Sequence, residues 1–140
     1  MPEYNLERFI TAQEHTYQVA LSEMKSGRKQ SHWMWFIFPQ IAGLGFSATA
    51  QRYAIRDMGE ATAYLTHDVL GQRLIEIAKA LMALPENNPT AIMGYPDDMK
   101  LRSSMTLFAQ VDGADAVFQQ VLDKFFDGKP DPNTLRILGK

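Results

Sequence analysis

Ser31-His32-Trp33-Met34-Trp35-Phe36-Ile37-Phe38-Pro39-Gln40 is the stretch whose reading decides the fold. It holds both tryptophans and the longest uninterrupted apolar run, Trp33 to Phe38. Such a run fits a buried strand or a buried helix, and periodicity does not separate the two. Phe38 precedes Pro39, which disfavours helical geometry at Phe38. No other segment alternates convincingly with a period of two, so a strand here would have no sheet to join. The stretch is therefore read as a short buried helix ending near Phe38. The fold class that follows is mainly α: a single compact helical domain over residues 1–140, with about six to eight helices and no convincing sheet.

Helical signals recur on both sides of this segment. Leu6, Phe9, Ile10, Tyr17, Ala20, Leu21 and Met24 fall at helical spacing. They predict one long helix from about Asn5 to Lys25, with Asn5 as cap and Gly27 as stop. Gln13 lies on the same stripe and is expected to bond a neighbouring backbone group, as buried polar groups do. Downstream, Ser47 and Asp57 are expected to cap short helices. A longer helix is expected from about Asp68 to Leu84, with Pro85 just past its end. Asn88-Pro89, Tyr95-Pro96-Asp97-Asp98 and Asp131-Pro132 each place a proline at or near a helix start. Asp115 to Phe126 reads as another amphipathic helix, stopped by Gly128.

Composition narrows the function classes. Hydrophobic residues make up 46% of 140 residues and charged residues 21%, as in ordinary globular proteins. The formal charge of −2 argues against the basic footprint of a nucleic-acid binder. The chain has no cysteine, which excludes disulfides, zinc-thiolate sites and thiol nucleophiles and fits a cytoplasmic location. Met1-Pro2-Glu3-Tyr4-Asn5 lacks the basic start and apolar run of a signal peptide. The longest apolar run is far too short to span a bilayer, so no membrane partner is expected.

Two segments carry polar atoms where a core has no use for them. In the first, His32 and Gln40 flank Trp33 and Trp35, the composition of an aromatic-lined ligand pocket. In the second, Met99 to Phe108, a helical wheel gathers Leu101, Met105, Leu107, Phe108 and Val111 on one broad face. Lys100 and Ser104 fall inside that apolar sector, Ser103 sits at its flank, and Arg102 and Thr106 lie on the far side. An inward lysine must be satisfied, because an unpaired buried charge is costly. Lys100 either snorkels past the core edge or, with Ser103 and Ser104, holds a phosphate or carboxylate. A catalytic serine activated by lysine fits poorly, since the known Ser-x-x-Lys order is reversed here.

Other chemistries find less support. His32 is either a hydrogen-bonded core residue or an acid–base or ligand-binding group. His15, His32 and His67 form no metal-binding pair, and His67 with Asp68 is explained by capping at a helix start. No metal or cofactor is expected. Gly43-Leu44-Gly45-Phe46-Ser47 offers too few glycines for a dinucleotide fingerprint. It reads as a turn into a capped helix, or as a helix start able to receive an anion.

Ser31 to Gln40, Gly43-Leu44-Gly45 with Ser47, Tyr53-Ala54-Ile55, Ala61 with Tyr64-Leu65, Leu70-Gly71 and Lys100 to Phe108 together resemble the family known as domain of unknown function 1810. The resemblance covers nearly the whole chain and shows no departure from the pattern. It implies a small helical protein of mainly bacterial distribution, and it implies no catalytic assignment. It also implies that both unusual segments belong to the family's own pattern. The expectation is a cytoplasmic helical domain that binds a small anionic metabolite, or a nucleotide, through His32, Trp33, Trp35, Gln40, Lys100, Ser103 and Ser104. The alternatives are a protein-interaction domain with a tryptophan hot spot, and a hydrolase or transferase using His32 as acid or base.

Overall fold

A computed structural model describes residues 4–140; the expectation drawn from Met1-Pro2-Glu3 falls outside them. The described residues form ten helices and no strand, more helices than the six to eight expected. They are α1 (Glu7–Gln13), α2 (Tyr17–Ser26), α3 (Met34–Ile37), α4 (Ala48–Arg52), α5 (Met58–Thr66), α6 (Leu70–Met82), α7 (Pro89–Met93), α8 (Asp97–Ala109), α9 (Val117–Phe126) and α10 (Pro132–Ile137). One isolated parallel bridge joins Ile41 to Ile55.

The additional helices have local causes. Three of the short ones carry their own caps. Ser47 Oγ accepts from Ala50 N–H at α4, the Asn88 side chain from Thr90 N–H at α7, and the Asp131 side chain from Thr134 N–H at α10. A side-chain cap satisfies backbone donors that a short helix otherwise leaves bare. The long N-terminal helix is broken at Glu14 to Thr16, between two anchored side chains. Gln13 Nε2 donates to Phe36 O at 2.8 Å and to Tyr64 Oη at 3.0 Å. On the far side of the break, Tyr17 Oη donates to Arg73 O at 3.0 Å. Gln13 thus has the backbone partner expected of it. Leu6, not Asn5, occupies the cap of α1, and it makes no side-chain bond. Gly27 ends α2 in the left-handed region, as expected. At α6 the cap position is Val69, which makes no side-chain bond, and His67 from the turn before it accepts through Nδ1 from Val69 and Leu70 N–H at 3.1 and 3.2 Å.

The buried apolar side chains make one contiguous cluster, from Phe9 in α1 to Phe125 in α9. Two helices organise it. α6 packs against α2, α5 and α9, and α8 packs against α5, α7, α9 and α10. α5 and α6 approach closely at Gly71, where a β-carbon would stand 1.9 Å from Leu65 O. No side chain fits between α6 and the end of α5.

Arg102 and Thr106, on the far side from the apolar sector, are not left to solvent. Thr106 is fully buried, and the Arg102 guanidinium lies against the chain before α10. A wheel with one apolar sector describes a helix covered on one side only. α8 is covered on several sides, by α10 where Arg102 and Thr106 project.

Gly71→Ala tests the packing of α5 on α6. The added methyl must force the two backbones apart, and the loss expected in urea denaturation is about 1–3 kcal/mol. A variant as stable as the parent would show that the approach is looser than described.

Candidate functional site

The aromatic stretch is fastened from below by Glu23 on α2. Its carboxylate accepts from Gln30 N at 2.8 Å, Ser31 N at 3.0 Å, Ser31 Oγ at 2.6 Å and Trp33 Nε1 at 2.9 Å. These bonds draw the indole of Trp33 into the core, where none of the residue is exposed. Partial burial works against ionisation of Glu23. The bonds from the Ser31 hydroxyl, Gln30, Trp33 and the Ser31 amide outweigh it and hold the carboxyl down to about 2, against an ordinary value of 4.5.

With Trp33 buried, Trp35 emerges half-buried on the other side of α3. There the two unusual segments meet. Lys100 Nζ lies 5.4 Å above the Trp35 ring, and Lys29 Nζ lies 4.9 Å above the Trp33 ring. Asp97 stands between the lysines, 2.8 Å from Lys29 Nζ and 3.6 Å from Lys100 Nζ. The Lys29 pair is the closer, and the Lys29 side chain is only 7% exposed against 29% for Lys100. Asp97 is therefore committed mainly to Lys29, and the Lys100 ammonium keeps charge to offer elsewhere.

Lys100 lines a cleft of about 260 Å³ with Gln40, Leu44, Gly45, Pro96, Ser103, Asp131 and their neighbours. A second cavity of about 10 Å³ shares Gln40 and Gly45 with this cleft and reaches Trp35 and Tyr53. Gly45 is required for this arrangement, since a β-carbon there would stand 2.6 Å from the Ala50 β-carbon. Asp131 is 8% exposed, and all the hydrogen bonds its carboxylate accepts fall on Oδ2: Ser103 Oγ at 3.1 Å, Thr134 N at 3.0 Å and Thr134 Oγ1 at 2.6 Å. Its backbone N–H donates to Thr106 Oγ1 at 2.8 Å. The carboxylate is thereby fixed, with Oδ1 uncommitted, in a cleft that also holds an ammonium.

Of the residues singled out in the sequence, Gln40, Lys100 and Ser103 line the cleft and Trp35 borders it through the smaller cavity. His32, Trp33 and Ser104 do not. His32 is exposed at the surface, and Trp33 presents no surface to a partner. Ser104 is fully buried, and its hydroxyl has no hydrogen-bond partner. Asp131 and Asn133 line the cleft and were missed. Asp131 had a signal in Asp131-Pro132, but one that announces a helix start and nothing more. Glu23 and Lys29 gave none, because each acts on residues that only the fold brings near. Among the described residues, no group of three or more His, Cys, Asp or Glu side chains is placed to hold a metal ion. Among the same residues, no helix is long and apolar enough to cross a membrane.

These features define an all-helical protein with a mixed-charge cleft between its aromatic segment and a central helix. The model of a protein family of unknown function, DUF1810, matches residues 3–138, and the chain belongs to that family. The fold is similar to the crystal structure of the conserved hypothetical protein Rv1873 from Mycobacterium tuberculosis, with a TM-score of 0.95 and 44% identity over 98% of each chain. No curated protein matches the chain.

Acidification tests the Glu23 fastening. A carboxyl whose pKa is lowered by folding stabilises the native state above its ordinary value, and that contribution is lost as pH falls towards the folded value. The midpoint of thermal unfolding should therefore fall between about pH 4.5 and pH 2. Glu23→Gln should melt earlier than the parent at neutral pH, and the gap should close across that window. A gap of constant width would show that the ionised carboxylate contributes nothing.

Proposed function

We propose that this is a cytoplasmic, single-domain protein that binds a small anionic metabolite, a sugar phosphate or a nucleotide, in the cleft beside α8. One observation carries the reading: Lys100 and Asp131, a lysine and a carboxylate with one oxygen uncommitted, line the same cleft. The ammonium suits a phosphate or carboxylate group. The carboxylate repels that group and suits a hydroxyl donor. A ligand with both features, an acid group and a polyol, satisfies the two charges at once. Gln40 and Asn133 supply amides to orient it, and Ser103 holds the Asp131 carboxylate in place. Trp35 acts beneath Lys100 as a flat support for the ammonium.

The volume sets a size. At about 260 Å³ the cleft lies just below the usual range for drug-sized ligands, roughly 300–1,000 Å³. It suits a pentose or hexose phosphate, with any larger part of the ligand left at the mouth. One contiguous core supports the single-domain reading, and the absence of cysteine supports the reducing compartment.

Thermal shift and calorimetry with inorganic phosphate and ribose 5-phosphate test the proposal. A ligand at a hundredfold its Kd stabilises the native state by about 2.7 kcal/mol. Lys100→Ala should melt within a few degrees of the parent and lose at least tenfold in affinity. Asp97→Asn removes the carboxylate that competes for Lys100, so it should bind the anion more tightly while melting earlier through loss of the Lys29 pair. Unchanged affinity in Lys100→Ala would contradict the assignment.

A further inference from the structure

The exposed large apolar side chains are not scattered evenly. Among the described residues they are Val19, Phe46, Val69, Tyr95, Met99 and Ile137. Met99 lines the cleft itself. Phe46 follows Gly45 and Tyr95 precedes Pro96, and both Gly45 and Pro96 line the cleft. Phe46 is 84% exposed and Tyr95 80%, by far the most open of the six. Each belongs to a different segment of the wall, one to the turn before α4 and the other to the start of α8.

Neither ring is explained by the fold. The ring contacts of the core run through Phe9, Trp33, Phe36, Phe38, Tyr53, Tyr64, Phe108 and Phe118 and leave both out. Among the described residues, no hydrogen bond engages the Tyr95 hydroxyl. Solvent-facing aromatic groups gathered at a cleft mark a binding surface more often than a packing accident. The cleft is partly apolar, at Leu44, Pro96 and Met99, but it carries charge at Lys100 and Asp131, which is unsuited to a wholly apolar occupant. A phosphate and sugar would fill the cleft, so the remainder of the ligand would extend past its rim, where Phe46 and Tyr95 adjoin the lining residues Gly45 and Pro96.

We infer that the cleft takes an anionic ligand carrying a planar heteroaromatic ring, of the nucleoside monophosphate class, with Phe46 and Tyr95 flanking the ring by stacking. The inference rests on the anion reading of the same cleft and deepens it by naming the ligand class. The sugar phosphate would be held by Lys100, Asp131 and the amides, and the base by the two aromatic faces. Stacking of a base on an aromatic side chain tolerates different bases, since each has a flat face. Phe46 and Tyr95 therefore define a class and not a single nucleotide.

AMP and ribose 5-phosphate, titrated by calorimetry into the parent protein, Phe46→Ala and Tyr95→Ala, separate the two readings. Both rings stand in solvent, so both variants should keep the parent's melting temperature. AMP should bind the parent at least tenfold more tightly than ribose 5-phosphate, the scale of one good stack. Either variant should lose most of that advantage and leave ribose 5-phosphate unchanged. AMP that binds no more tightly than ribose 5-phosphate would overturn the ring assignment while the anion reading stands. Binding of neither would overturn both. Variants that alter self-association and not AMP affinity would show that the rings join copies of the chain, which also overturns the assignment.

Discussion

A helix with polar residues around its whole circumference is costly to enclose unless nearly all of them find partners inside the protein. α8 is such a helix, and the partners it needs account for much of what surrounds it. Asp98 accepts from the Thr90 hydroxyl and holds α7. Arg102 donates to the carbonyls of Lys129 and Pro130, and Thr106 accepts from Asp131 N–H, so the approach to α10 is fixed at two points. Ser103 donates to the Asp131 carboxylate. Asp97 reaches Lys29 and so ties the helix start to the turn that leads into the aromatic stretch. Ser104 is the exception, with an unpartnered hydroxyl in the core; nothing in the structure accounts for it.

The cleft follows from this scheme. Once Asp97 is held by Lys29 and Asp131 by Thr134 and Ser103, the Lys100 ammonium and the second Asp131 oxygen keep spare capacity, and both residues line the same cleft. That is different from a pocket lined by a single sign of charge. A pure anion gains at Lys100 and loses at Asp131. A ligand with an acid group and hydroxyls gains at both. The two tryptophans divide the remaining work: Trp33 is a buried anchor fastened by Glu23, and Trp35 is the face on which Lys100 rests.

Legibility from sequence tracked the range of each interaction. Ser47, Asp57 and Asn88 bond backbone two or three residues away, so their roles are local and readable. The aromatic stretch reads correctly as a short helix because no strand partner exists for it. The break at Glu14 to Thr16 is not readable, because its cause lies in Phe36, Tyr64 and Arg73. Glu23 looks like any acid on the polar side of an amphipathic helix, and only the return of the chain at Gln30 to Trp33 gives it a role. Lys100 and Ser103 stood out because they break a local pattern. Asp131, which completes the cleft, obeys its local pattern as a helix cap and so gave no reason to look further.

The central claim is that residues 40–45, the start of α8 and the start of α10 form one binding cleft. Amide chemical-shift mapping of the 15N-labelled protein during titration with ribose 5-phosphate tests it most directly. The account predicts shifts confined to Gln40, Gly45, Lys100, Ser103, Asp131 and Asn133 and their immediate neighbours. An unchanged spectrum, or shifts gathered at the surface groove of Tyr17, Arg73 and Glu76 on the α2–α6 side, would contradict it.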